Sequence, residues 1–209
     1  MNFRSDCDLC PRLYKFLKNV KIENPTYYCK PVPAFGDSNT KFLIVGLAPG
    51  LNGANRTGRP FTGDFAGIIL YEALFYFGLS NKEQSIDLHD GLKLDGVKIT
   101  NAVKCLPPEN KPLSNEIKTC NQFLKEEILS IDNELIILSL GKISHDAVLD
   151  VFQLKKSFFK FKHGARHELS PNVVLYDSYH CSRYNTSTKR LTREMFFDVF
   201  RKIKNEMET

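Results

Sequence analysis

The 209-residue sequence predicts an α/β fold, a three-layer sandwich with helices on both faces of a central four-stranded parallel sheet, and three observations predict it. Four short runs are rich in β-branched and apolar residues. They are almost continuously apolar rather than alternating, as befits strands covered on both faces, and helical patterns separate them. Alternation of strand and helix with right-handed crossovers gives parallel order.

The four strand candidates are KFLIVGLA (41 to 48), GVKITNAVKC (96 to 105), ELIILSLG (134 to 141) and NVVLYDSYH (172 to 180). After the first, Asp64 is placed to cap a helix over FAGIILYEALFYFG, with Gly78 as its stop. After the second, Ser114 with Glu116 opens the helical run NEIKTCNQFLKEEILSI. KISHDAVLDVFQL follows the third strand, and the amphipathic KRLTREMFFDVFRKIKNEM closes the chain. The first forty residues read as an N-terminal extension with one helix candidate, PRLYKFLKN, so residues 1–209 are expected to form a single domain.

Composition excludes some functions and permits others. Hydrophobic residues at 42% and charged residues at 25% are globular proportions. No apolar run reaches the roughly 20 residues of a membrane span, and MNFRSDCDLC lacks a signal-peptide pattern. The expectation is a cytoplasmic monomer with no membrane partner. The net charge of +5 permits nucleic-acid binding, and the basic residues gather in KKSFFKFKHGARH (155 to 167) and CSRYNTSTKRLTR (181 to 193).

Ligands of open α/β sheets bind beyond the carboxyl ends of the strands. After the first strand lies a loop containing Gly46, Gly50, Gly53, Gly58 and Gly63, centred on GRPFTGD. A mononucleotide phosphate loop needs Lys-Ser or Lys-Thr after its last glycine, and a dinucleotide loop needs GxGxxG; neither occurs here. The loop offers Phe61 instead, a flat ring among glycines that admit close backbone approach, which suits a planar heterocycle. The alternative is a packed surface loop whose phenylalanine covers the sheet end. After the second strand, Asn101 carries a donor and an acceptor able to pair with a pyrimidine edge, or to cap backbone. After the fourth, His180 can donate to a carbonyl oxygen gaining negative charge, Ser182 can donate to a phosphate, and Arg183 and Tyr184 can reach into a duplex.

Cys7 and Cys10 form a Cys-X-X-Cys, and Cys105 and Cys120 are separated by fourteen residues. Four thiolates from two chain segments can close a structural zinc site or hold an iron-sulfur cluster; the alternative is four unrelated buried thiols. Cys181 reads as an ordinary small side chain, as does Cys29, a weaker ligand candidate.

GLAPGLNGANRTGRPFTGD, TNAVKC and YHCSRYNTSTKRLT, with the four cysteines, resemble the iron-sulfur uracil-DNA glycosylases, specifically the prokaryotic family 5 (type B) branch. The resemblance runs from Cys7 to about Leu191. It implies a 4Fe-4S cluster on Cys7, Cys10, Cys105 and Cys120, and monofunctional excision of uracil from DNA in base excision repair. Phe61 then stacks on the extruded uracil, Asn101 pairs with its edge, and His180 stabilises the leaving anion with the backbone of Gly46, Ala48 and Gly50. Asp64 supplies the carboxylate, because Leu47 stands where related families place Glu, Asp or Asn. Ser182, Arg183 and Tyr184 become DNA contacts. His180-Cys181-Ser182 departs from the family's usual His-Pro-Ser or His-Val-Ser, and Tyr184 from a polar residue often found there. Alternatives are a broader glycosylase acting on hypoxanthine or xanthine, and an inactive DNA-binding relative. A sliding clamp or another repair protein is a candidate partner.

Overall fold

The computed structural model describes residues 3–208. Helix α1 (Pro11–Glu23) precedes strands β1 (Phe35–Gly36) and β2 (Phe42–Gly46), then the short α2 (Ala54–Thr57), α3 (Phe65–Tyr76) and β3 (Val97–Asn101). Next come α4 (Ser114–Leu129), β4 (Leu135–Leu140), α5 (Lys142–Val151), β5 (Arg166–Ser170), β6 (Val173–Ser178), α6 (Arg183–Ser187) and α7 (Arg193–Met207). The sheet order is β1-β3-β2-β4-β6-β5. The four expected strands are its parallel centre, and antiparallel β1 and β5 extend it to six.

Burial on both faces explains the unbroken apolar runs: every residue of β2 and of β4 is buried. Alternate side chains feed two cores. Phe42 and Ile44 face α3 and α7, packing with Leu70, Leu74, Phe196 and Phe200; Leu43 and Val45 face α4 and α5, packing with Leu124, Ala147 and Val148. At roughly 1.5–3 kcal/mol per buried large aliphatic side chain, these strands contribute heavily to stability. A third cluster joins α1 to the segment after β3 and to α4, through Leu13, Leu17, Val103, Phe123, Cys105 and Cys120.

Helix starts follow local chemistry. Asp64 caps α3, accepting the Gly67 N–H, and Thr192 caps α7, accepting that of Met195. Ser114 is the first helical residue of α4, after Leu113, whose N–H Glu116 accepts at 2.7 Å. The same Glu116 takes a bidentate ion pair from Arg12, 2.7 Å in both arms, tying α1 to α4.

The chain between α3 and β3 forms a strap held by a buried ion pair. Arg59 Nη1 donates to both Asp90 oxygens and to Ser85 Oγ, each at 2.9 Å, and its guanidinium lies 4.4 Å from the Phe35 ring centre. Burial would raise the Asp90 pKa, but the backbone N–H groups of Ile86 and Leu92, with Arg59, outweigh it and hold the carboxyl at about 2. Its contribution is therefore present above the ordinary aspartate range and is lost as pH falls through about 2. Asp90→Ala leaves the Arg59 charge buried without its partner, so urea denaturation is expected to show about 3–5 kcal/mol lost at neutral pH.

Candidate active site

The carboxyl ends of β2, β3 and β6 open into a cleft of about 500 Å³, lined by Leu47, Ala48, Gly50, Phe61, Asp64, Asn101, His180, Ser182 and Arg183, among others. The structure thus brings residues singled out beyond three different strands into one cavity, with Gly46 and Tyr184 outside its lining. Asn52 and Asn110 also line it. Asn110 had no signal of its own in the sequence; it arrives on a turn beyond β3, with φ of 56°.

Close backbone approach builds the floor. A Cβ on Gly46, the last residue of β2, would lie 2.3 Å from Asn101 Oδ1 and 2.6 Å from Phe61 Cζ. Because it is glycine, the ring edge and the amide share the space above the strand end. Gly67, in the first turn of α3, is as constrained: its Cβ would lie 1.9 Å from the Phe61 carbonyl oxygen. Phe61 itself adopts φ of 53°, a left-handed conformation costing roughly 1–2 kcal/mol for a residue with a side chain. Its neighbours hold it there: Tyr71 Oη donates to the Pro60 carbonyl at 2.9 Å, and Thr62 and Ser85 hydroxyls meet at 2.6 Å. The packed-loop and pocket readings of Phe61 are both satisfied, since it is buried in the core beside α3 while lining the cleft.

Asn101 and His180 face the cleft with unused hydrogen-bonding capacity. Among the described residues, neither the Asn101 amide nor the His180 ring has a hydrogen-bond partner, so Asn101 is not spent as a backbone cap. The His180 ring lies 6.1 Å from that of Phe61 at an interplanar angle of 30°. Burial pushes its pKa down to about 4, so the imidazole is neutral near pH 7. Asn185 Nδ2 fixes the strand exit by donating to the His180 carbonyl at 2.8 Å.

Asp64 does two things at once. Its Oδ1 accepts from Gly67 N at 3.2 Å, the expected helix cap, while its Oδ2 packs against Gly53, where a Cβ would approach to 2.2 Å. Burial raises its pKa, and backbone N–H groups of Gly67 and Ala66 partly oppose that. At the cleft's outer rim Ser182 caps α6, accepting from Asn185 N, which leaves its hydroxyl proton free to donate. Arg183 lies 5.2 Å from the Phe65 ring centre, and Tyr184 is 72% exposed.

Cys7 and Cys10 line one cavity with Cys105 and Cys120, and with Phe3, Leu13 and Phe123, the two distant chain segments being joined by the α1 to α4 packing. Burial raises the thiols of Cys10 and Cys105 and pushes Cys120 up to about 11; Lys104 N donates to Cys120 Sγ at 3.3 Å. Cys29 is buried and accepts from Asn55 Nδ2, and Cys181 donates to the Ala66 carbonyl; neither lines that cavity.

A three-layer α/β sandwich whose base-sized cleft sets an aromatic ring, an amide, a carboxylate and a neutral imidazole beyond the strand ends is the architecture of a base-handling enzyme. The chain belongs to the uracil DNA glycosylase superfamily, whose family model matches residues 33–204. It is 44% identical over 203 residues to the type-5 uracil-DNA glycosylase of Thermus thermophilus, covering 95% of this chain and 92% of that one. The type-5 uracil-DNA glycosylase of Pyrobaculum aerophilum is 41% identical over 201 residues, 94% of this chain and 87% of that protein. A type-4 uracil-DNA glycosylase of the same organism is 35% identical over 147 residues, 70% of this chain and 61% of that protein.

Gly46→Ala introduces a methyl into space held by Phe61 and Asn101. A crystal structure of the variant is expected to show the ring and amide moved apart, with about 1–3 kcal/mol of stability lost to overpacking in thermal denaturation.

Proposed function

We propose that the protein excises uracil from DNA by hydrolysing the N-glycosidic bond, the first step in repairing deaminated cytosine, with residues 1–209 acting as one unit. The observation that carries this reading is the pair of polar side chains, Asn101 and His180, left without protein partners beside the Phe61 ring in one cleft. Both side chains reach the cleft surface, so a ligand with a matching donor and acceptor edge can pair with them without displacing a protein contact.

The chemistry follows from the arrangement. An extruded nucleotide costs a few kcal/mol in lost stacking, which phosphate contacts by Ser182 and Arg183 and stacking on Phe61 offset. Asn101 offers one donor and one acceptor to the uracil edge. Bond cleavage leaves positive charge on the sugar and negative charge on the base. Asp64 favours the sugar cation and orients water; the neutral His180 ring donates to the oxygen of the departing anion, with backbone amides near Gly46, Ala48 and Gly50. In a cleft that raises Asp64 and lowers His180 by the same exclusion of water, both interactions gain strength.

Four thiols meeting in one cavity, Cys7, Cys10, Cys105 and Cys120, are a donor set for an iron-sulfur cluster, with structural zinc the alternative. A 4Fe-4S core held by Cys7, Cys10, Cys105 and Cys120 would act structurally, pinning α1 to the segment after β3 and to α4. Protein purified anaerobically is expected to be brown, with iron and sulfide; a colourless preparation with stoichiometric zinc would replace the cluster.

A broader substrate range is favoured by one observation, the apolar Leu47 in the cleft wall. Oligonucleotides carrying uracil, hypoxanthine, xanthine, or thymine opposite guanine separate the readings, and uracil is expected to be released fastest. Asp64→Asn and His180→Ala are each expected to slow single-turnover release by roughly 100-fold or more while duplex binding survives. Wild-type rates in both would sink the assignment. The raised Asp64 pKa puts the acid limb of the rate profile above the ordinary aspartate range, and that limb should vanish in Asp64→Asn; His180, already neutral, should add no step near the usual histidine pKa.

A further inference from the structure

The basic run before β5 is fixed to the core rather than left loose. From 158 to 163 its side chains alternate: Phe159, Phe161 and His163 are half-buried, while Phe158, Lys160 and Lys162 are exposed, Phe158 at 78%. The inward row is held at several points. The Phe159 carbonyl lies 2.8 Å from His145 Nε2, and the Phe161 ring meets His145 edge-on at 5.7 Å. His163 stacks on Tyr179 at 5.1 Å and accepts the Tyr179 N–H at 3.2 Å, and Gly164 N donates to the Asp177 carbonyl at 2.8 Å.

Beneath lies a buried hub. Asp177 takes His145 Nδ1 at 2.8 Å, Ser139 Oγ at 2.7 Å and His167 Nε2 at 3.0 Å. Both His145 nitrogens face acceptors, the carboxylate and the Phe159 carbonyl, so both carry protons and the segment is clamped by a charge-assisted pair. The exposed lysines therefore stand on a fixed backbone, which reduces the ordering cost of binding.

Charge and position identify what they face. Nearby cations are neutralised within the protein: Lys142 by Asp146, Lys156 by Asp150, Arg166 by Glu206. Lys155, Lys160 and Lys162 have no acidic partner among the described residues. Because β5 runs antiparallel to β6, this segment reaches the carboxyl end of β6, and Tyr179, which it packs against, directly precedes His180 of the cleft. Arg190 lies 4.7 Å from the Tyr179 ring centre, continuing the positive rim toward Arg183. Lys160 and Lys162, two residues apart, are both exposed on the solvent side of the segment.

We propose that residues 155–163 form a second DNA-contacting surface, gripping backbone phosphates of the duplex beside the extruded nucleotide through Lys155, Lys160 and Lys162, with Phe158 covering a sugar. This rests on reading the cleft as a DNA glycosylase site. The surface supplies sequence-independent affinity, whereas the Ser182 to Tyr184 rim contacts the lesion itself.

The test is duplex binding measured by fluorescence anisotropy against salt concentration, on DNA without uracil. Lys160→Ala/Lys162→Ala is expected to reduce the slope of log affinity against log salt by about 2, at about 0.9 per phosphate contact. Phe158→Ala should weaken binding severalfold with the slope intact. Lys41→Ala/Lys93→Ala removes the same charge from the opposite rim of the sheet and should leave the slope unchanged. An unchanged slope in Lys160→Ala/Lys162→Ala, or an equal drop in the opposite-rim pair, overturns the proposal; unchanged affinity in Phe158→Ala overturns the sugar contact. Wild-type protein that binds with the expected slope yet releases no uracil counts against the glycosylase reading and not against this surface.

Discussion

The close approach of three backbone segments, at Gly46, Gly53 and Gly67, is the constraint on which the rest of the site depends. At each, a single added carbon would come within 2.3 Å of a polar atom of Asn101, Asp64 or Phe61. Side-chain volume is excluded there, so the loop carrying Phe61 settles directly onto the end of β2. The left-handed backbone at Phe61 is then tolerable because hydrogen bonds of Tyr71, Thr62, Ser85 and the Arg59 to Asp90 pair hold the loop around it. Strain of this kind persists where surrounding structure over-determines it.

Exclusion of water acts on the two titrating groups of the cleft in opposite directions on the pH scale and in the same chemical sense. Asp64 moves up and His180 moves down, each toward its neutral form. Backbone N–H groups at the start of α3 partly offset the burial of Asp64, while among the described residues no counter-charge meets His180, which stays neutral near pH 7. On the proposed reading, a carboxylate beside the sugar and a neutral donor beside the base match the charges of a separating cation and anion.

Much of this was legible in the sequence, for identifiable reasons. The four central strands announced themselves because burial on both faces demands unbroken apolar runs, and the cleft residues were found because strand ends are where such sheets bind ligands. The edge strands were not: β1 is two residues long, and β5, RHELS, is mostly polar because one side of it meets solvent. Cap residues such as Asp64 carry local signals and were readable. Arg59 with Asp90, and Asp177 with His145 and His167, were not, because each pair is made by segments ten to thirty-two residues apart and depends on the folded path between them.

Strand β6 and its continuation supply both the Asp177 hub and the His180 ring within four residues. Asp177 shares its face with Leu175, toward α5, while Tyr176 faces α7. A strand has a reading frame of two. Inserting or deleting one residue before Asp177 would send the carboxylate into the α7 layer and a hydrophobe into the polar hub, while carrying His180 out of register with Phe61. Length in β6 is therefore a sharper restriction on how such chains can vary than the identity of any one of its apolar residues.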